Sequence, residues 1–300
     1  MYVWSVLELD KQKKKTDSRI RLWVQAAFTA LTNGYVWGFV EGRIFTGPTK
    51  SLCVPGLNCY SCPGALGSCP IGSLQAVLGS RNYRFSFYIF GFLVLVGSLL
   101  GRFVCGWLCP FGLVQDLIYK IPFVRKWKNL PGHRVLVWAK YVILLVFVIL
   151  LPLLVLDITG QGAPWFCQYI CPSGALMAGI PLMIGNEALR GAAGFLFAWK
   201  GVVLAVIVLL SLMIYRPFCK YLCPLGAVYG LFHPIALYRY RVYAEKCTHC
   251  GKCEKACKMG IQVWKTPNSR ECIRCGDCIR SCSFGAVEST WKKRKDVTEK

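Results

Sequence analysis

Eighteen cysteines are spread over 300 residues, and most recur at fixed spacings. Near the C-terminus, CTHCGKCEKAC carries Cys247, Cys250, Cys253 and Cys257, and CIRCGDCIRSC carries Cys272, Cys275, Cys278 and Cys282. RFVCGWLCPFG and RPFCKYLCPLG repeat one another, with Cys105 and Cys109 in the first and Cys219 and Cys223 in the second. CVPGLNCYSCPGALGSCP holds Cys53, Cys59, Cys62 and Cys69, and CQYICPSG holds Cys167 and Cys171. Cysteines in such numbers are metal ligands or halves of disulfides. A disulfide scaffold is small and poor in long apolar runs, and this chain is neither. Zinc needs only pairs of cysteines, whereas complete runs of four match the thiolate complement of a 4Fe-4S cluster.

The two C-terminal runs have the Cys-x2-Cys-x2-Cys-x3-Cys spacing of bacterial two-cluster ferredoxins, in which the fourth cysteine of each run serves the other cluster. That crossing predicts Cys247, Cys250, Cys253 and Cys282 for one cluster and Cys272, Cys275, Cys278 and Cys257 for the second. Lys258 and Ser283 stand where the pattern has proline, which removes no ligand. The repeated Arg-x2-Cys-x3-Cys-Pro-x-Gly units supply one pair each, so Cys105, Cys109, Cys219 and Cys223 are expected to hold a third cluster between two halves of the chain. Cys-x3-Cys sets both sulfurs on one helical face. The following proline suits the first turn of a new helix, whose free N–H groups favour an anion. Six cysteines remain. The expected fourth set is Cys62, Cys69, Cys167 and Cys171, with Cys59 or Cys53 as alternative ligands, and a Cys53–Cys59 disulfide as a further alternative on an oxidising face.

A chain that is 55% hydrophobic and 14% aromatic, with a mean hydropathy of +0.45, falls in the membrane class. Crossing a bilayer takes about 20 apolar residues, and four stretches are expected to do so: about 22–40, 85–104, 135–156 and 195–215. Ile71 to Leu78 and Ala175 to Ile184 are too short, follow a Cys-Pro, and are expected as re-entrant or interfacial helices. The expected fold class is an α-helical membrane protein with four transmembrane helices in two pseudo-symmetric halves, plus a small C-terminal α+β two-cluster ferredoxin-like domain. The boundaries are 1–20 for a basic N-terminus, 21–125 and 126–240 for the two membrane halves, 241–290 for the ferredoxin domain and 291–300 for a basic tail. Halves with two spans each keep one orientation, related by an axis along the membrane normal. Lysine and arginine collect in the N-terminal segment (Lys11 to Lys15 among them), the middle loop and the C-terminal region, so both termini are expected on the cytoplasmic side of the inner membrane. The same rule, together with anionic clusters, accounts for the net charge of +22 without nucleic acid.

Apolar spans ending in Cys-x3-Cys-Pro and followed by a two-cluster ferredoxin domain resemble the NapH-like membrane polyferredoxins, over about Arg84 to Val287. The resemblance implies four spans, two cytoplasmic ferredoxin clusters, and electron traffic between quinone and partner redox proteins. The expected function is a membrane-bound iron–sulfur relay between the ferredoxin domain and membrane-embedded clusters, the quinone pool or a partner subunit, within an oxidoreductase complex of quinol dehydrogenase type. Expected partners are redox subunits such as a cytochrome or another ferredoxin-like protein, a quinone, and the lipid bilayer. The alternatives are a subunit of a redox-driven ion pump and an iron–sulfur membrane regulator or assembly factor. Pumps keep ionisable residues inside their spans, whereas Glu41, Asp116, Lys140, Asp157 and Glu187 are expected at span ends as interfacial residues. No nucleophile or acid–base pair stands out, so substrate chemistry is assigned to a partner. His133 and His233 are expected to hydrogen-bond in loops rather than hold haem, with His249 beside the ferredoxin cysteines. Trp4, Trp23, Trp37, Trp107, Trp138, Trp165 and Trp199 are expected in aromatic belts.

Overall fold

Four Cys-Pro pairs start a helix, and the fold is arranged around them. Cys69, Cys109, Cys171 and Cys223 each occupy the N-cap in an extended conformation, with φ between −73° and −78°, and the next proline takes the first helical position. The reason is local: proline suits the first turn and pushes the residue before it out of the helical region. The helices so begun are Pro70–Leu78, Pro110–Lys120, Pro172–Gly185 and Pro224–Phe232. Cys62 and Pro63 lie in a turn and open no helix.

The computed structural model describes residues 19–80, 87–122, 126–157, 161–191 and 194–291. Lys11 to Lys15, Trp4, Arg81, Arg84, Arg125 and nearly all of the basic tail lie outside the described residues. The described chain is mostly helical. His133–Leu154 and Phe195–Met213 are long and apolar enough to cross a membrane, yet only 28% and 17% of their most apolar windows are buried. A core helix of a water-soluble protein hides its apolar surface, and these two present theirs outward. The other two expected spans are interrupted. Within 22–40, the helix 19–32 stops before Gly34 and a separate helix follows at Val36–Glu41. Asn33 turns its amide back onto Thr29 O at 3.1 Å, the local bonding with which such residues compete with a continuing helix. Within 85–104, Phe87–Leu100 ends at Gly101, whose φ of 55° is left-handed, and Phe103–Trp107 begins anew.

The C-terminal domain is built on a two-stranded antiparallel ribbon, Tyr240–Val242 with Val287–Ser289, in which Tyr240 faces Ser289 and Val242 faces Val287. Two short helices, Lys252–Ala256 and Asp277–Ser281, pack on one another beside it. Buried cations lock this domain to the helical part. Arg102 donates to Arg270 O at 2.8 Å and to Glu271 at 2.9 Å, and Lys140 pairs with the other Glu271 oxygen. Arg274 donates to Leu100 O and His233 O, both at 2.9 Å, and the Trp107 indole donates to Arg274 O at 3.0 Å. A Cβ at Gly106 would stand 2.2 Å from Ile273 O, so glycine there lets the two backbones touch. Two expectations are corrected here. Lys140 is fully buried against Glu271 rather than interfacial, and Trp107 serves the domain junction rather than an aromatic belt. Both depend on a docking surface that only the folded chain creates.

Candidate metal centres

Cys105, Cys109, Cys219 and Cys223 are buried together where the halves meet. Burial pushes the Cys109 and Cys219 thiols up to about 11, and neighbouring cysteines of the set raise them further. The recurring arginines and glycines of the two motifs belong to this arrangement. Arg102 donates to Cys219 O at 2.9 Å, and Arg216 donates to Cys105 O, so each half grips the cysteine backbone of the other. A Cβ at Gly112 would meet the Arg216 guanidinium at 3.1 Å, and one at Gly226 would meet that of Arg102 at 3.3 Å. Arg216 forms a two-bond fork with Asp116, Nε to Oδ1 at 2.7 Å and Nη2 to Oδ2 at 2.6 Å, and Arg21 joins the same carboxylate at 2.9 Å. Burial opposes the Asp116 charge, but Arg216 and then Arg21 hold its carboxyl below the usual range. Asp116 was expected at an interface; it is buried, because two guanidiniums repay its desolvation.

A second group lines a cavity of about 870 Å³: Cys59, Cys69, Cys167 and Cys171. Burial comes first in raising the Cys171 thiol to about 12, with Cys59 and Cys69 adding to it. Cys59, expected as an alternative ligand, lines this cavity, and Cys62 does not. The physical reason is the Cys-Pro geometry: Cys69-Pro70 opens a helix as Cys171-Pro172 does, whereas Cys62 closes a turn onto Cys59 O at 3.1 Å and stays outside the cavity lining. Cys53 is also outside it and, like Cys59, is a free thiol, so the structure shows no Cys53–Cys59 bridge.

The C-terminal domain gathers its cysteines in the crossed manner. Cys247, Cys250, Cys253 and Cys282 line one small recess, with Cys250 exposed. Cys257, Cys272, Cys275 and Cys278 form the other group. Burial raises Cys272 to about 11 and Cys275 to about 12, and Cys257 opposes ionisation of both Cys272 and Cys278. His249 packs edge-on to Trp264 beside the first group. His233 is buried, accepts from Arg102 N at 3.2 Å, and is pushed down to about 2 by burial and the Arg274 and Arg102 charges. His133 shares a 3.1 Å contact with Tyr221 Oη.

One loop joins the two cysteine groups of the helical part. Leu57 and Asn58 line the cavity together with Cys69, and their backbone amides favour the charged forms of Cys109 and Cys69 respectively. Gly56 lies against Cys109 as well, its notional Cβ 3.0 Å from Cys109 Cα. Consecutive residues thus touch both groups.

The donor sets fit iron–sulfur clusters. Four buried thiols that oppose one another's ionisation need a cationic core to hold them as thiolates. Buried guanidiniums near Cys105 and Cys219 offset the negative charge that a four-thiolate cluster carries. At the cavity, the Asn58 side-chain amide is fully buried with no hydrogen-bond partner among the described residues. Also among the described residues, no three His, Cys, Asp or Glu converge as a site for a single metal ion.

Sequence reasoning from the cysteines missed Gln75 and Gln115, both buried, each of which donates to a sulfur: Cys167 at 3.3 Å and Cys219 at 3.1 Å. The signal was present, since CPIGSLQ and CPFGLVQ place glutamine at one offset from the cysteine.

Comparison with known proteins agrees with this chemistry. A family described as 4Fe-4S binding domain matches residues 84–131, 141–183 and 196–236, and a second family with that description matches 240–262. An uncharacterized protein of Methanocaldococcus jannaschii is 30% identical over 60% of this chain and 68% of its own length. The putative electron transport protein YccM of Escherichia coli is 29% identical over 57% of this chain and 45% of its own. The ferredoxin-type protein NapH of Haemophilus influenzae is 31% identical over 58% of this chain and 54% of its own. The chain therefore spans about half to two thirds of these relatives. No solved structure matches it. The chain carries 4Fe-4S binding domains and belongs to the NapH-like polyferredoxin family.

Proposed function

We propose that the chain relays electrons through a membrane, between a ferredoxin domain on one face and the cavity on the other. The observation that carries this reading is continuity: each cysteine group abuts the next. Ile273, in the second ferredoxin run, lies on Gly106, next to Cys105. The stretch from Gly56, against Cys109, to Leu57 and Asn58, which line the cavity with Cys69, then runs from one group to the next. Clusters bound at these four sites supply one-electron transfer. The protein holds them in series, buries the set at Cys105, Cys109, Cys219 and Cys223 most completely, and leaves the two ends open, at Cys250 and at the cavity.

The ligand sets we propose are Cys247, Cys250, Cys253 and Cys282; Cys272, Cys275, Cys278 and Cys257; Cys105, Cys109, Cys219 and Cys223; and Cys59, Cys69, Cys167 and Cys171. The outward apolar faces of His133–Leu154 and Phe195–Met213 support membrane insertion. The four-span arrangement then needs the broken segments 19–32 with Val36–Glu41, and Phe87–Leu100, to cross as well. Gly101 and Gly34 can break a helix at membrane depth only where protein covers the backbone, and the ferredoxin domain and the 53–69 loop supply that cover. The exposed Cys250 recess, rimmed by Lys246 and Lys252, fits a partner redox subunit with an acidic face. The opposite cavity is where a quinone or second redox partner would exchange electrons.

Iron and sulfide analysis of the purified full chain, with EPR during a redox titration, tests the relay. Four distinct clusters per chain are expected. A chain holding only the two ferredoxin clusters would refute it.

A further inference from the structure

We propose that Gln75 and Gln115 are positioning residues that set the reduction potentials of the two membrane-half sites, each through an N–H bond to a sulfur supplied by the other half of the chain. The inference rests on the ligand sets above and adds a role that the cysteines alone do not imply.

The two glutamines make the same three contacts. Gln75 donates to Ile71 O at 3.2 Å and to the Cys167 sulfur at 3.3 Å, and accepts from Phe166 N at 3.1 Å. Gln115 donates to Phe111 O at 3.5 Å and to the Cys219 sulfur at 3.1 Å, and accepts from Phe218 N at 3.3 Å. The orientation of each amide follows from its partners. A backbone N–H can only donate, so the oxygen must face Phe166 or Phe218 and the NH₂ must face the carbonyl and the sulfur. Both donor hydrogens and the acceptor are thereby used.

The equivalent positions in the second half carry other residues. Met177 accepts from Ser173 Oγ at 3.2 Å, and Tyr229 donates to Pro55 O at 2.9 Å. Neither gives an N–H to a cysteine. Each site thus receives one glutamine, always from the first half, and always on the first cysteine of the Phe-Cys-x-Tyr-x-Cys-Pro stretch in the second half. An N–H bond to a ligand sulfur stabilises the more negative, reduced state, so hydrogen bonds of this kind raise a cluster's potential. Because Gln115 and Cys219 are both buried, water cannot replace their bond once it is removed.

The test is an EPR-monitored redox titration of the full chain in detergent, with iron per chain, for the wild type, Gln115→Met, Gln115→Glu and Gln75→Met. Gln115→Met is expected to keep its iron and make one cluster about tenfold harder to reduce, a fall of about 59 mV for a one-electron couple. Gln75→Met is expected to shift a different signal and leave that one in place. Unchanged potentials with iron retained would overturn the inference. Loss of iron from Gln115→Glu, which can still accept from Phe218 N, would overturn it too, by making the residue a structural support. A wild-type chain with only two clusters would instead remove the ligand sets themselves.

Discussion

The two cysteine groups of the helical part share a plan and differ in what surrounds it. Both use Cys-Pro N-caps, a glycine three residues beyond the capping cysteine, and a glutamine on a sulfur. The inner group, Cys105 with Cys109, Cys219 and Cys223, is closed: two buried guanidiniums cross between the halves and the ferredoxin domain covers it. The outer group, Cys59 with Cys69, Cys167 and Cys171, opens onto a cavity of about 870 Å³. There the glycine three residues after Cys171 faces Lys200, whose Nζ would lie 3.3 Å from a Cβ at Gly174. A fixed, charge-compensated site suits an internal relay, whereas an open one suits exchange with a second molecule. What distinguishes the two groups is thus their neighbours rather than their cysteines.

The largest effects expected are on iron. Cys219→Ser should remove the inner cluster, about four iron atoms, and leave the ferredoxin signals in place. Cys59→Ser should do the same for the outer one, while Cys62→Ser should leave iron per chain unchanged. Iron loss from C62S with retention in C59S would reverse the outer ligand set.

Next come the arginines that close the inner site. Arg216→Met leaves Asp116 with Arg21 alone, and breaking a buried pair in this way costs about 3–5 kcal/mol. Thermal unfolding in detergent should show it as a large drop in Tm. Arg216→Lys should recover only part, because an ammonium cannot fork across both carboxylate oxygens while reaching Cys105 O. A full recovery would argue that net charge, not the fork, holds the halves together.

A smaller effect follows from pH. Asp116 is held below the ordinary carboxylate range against its burial, and so is Glu271, chiefly by Arg102 and then Lys140. Groups whose folded pKa is depressed stabilise the fold above their unfolded values, about 4, and that contribution is lost as the pH falls through the folded values. Tm should therefore fall on acidification below about pH 4, and Glu271→Gln should flatten part of that fall. An unchanged slope in the variant would place the acid sensitivity elsewhere. The smallest change is expected at the open site. Lys200→Met should leave iron and Tm nearly unchanged, within about 0.5 kcal/mol, while altering how the cavity treats an anionic or quinone-like molecule.

Much of this was legible in the residues. The crossed ferredoxin sets could be read because their spacing is local and the chain between the ligands is short. The pairing of Cys105 and Cys109 with Cys219 and Cys223 could be read because the motif is written twice. Cys59 could not be separated from Cys62, since both lie in one loop and only the helix started by Pro70, and the turn that closes at Cys62, tell them apart. Nor could Asp116 and Lys140 be placed: hydropathy sets them at the edge of a span, but their burial depends on arginines and a glutamate distant in the chain.

The amino-acid sequence by itself determined the chemistry, because cysteine spacing and the proline after it act over a few residues of backbone. It also determined that long helices must face something apolar. Only the tertiary structure decided that Cys59 rather than Cys62 lines the cavity, which cations stand beside the thiols, and that Gly56 and Asn58 lie one against each group. Those are contacts between segments far apart in the chain, and they exist only once packing has brought the segments together.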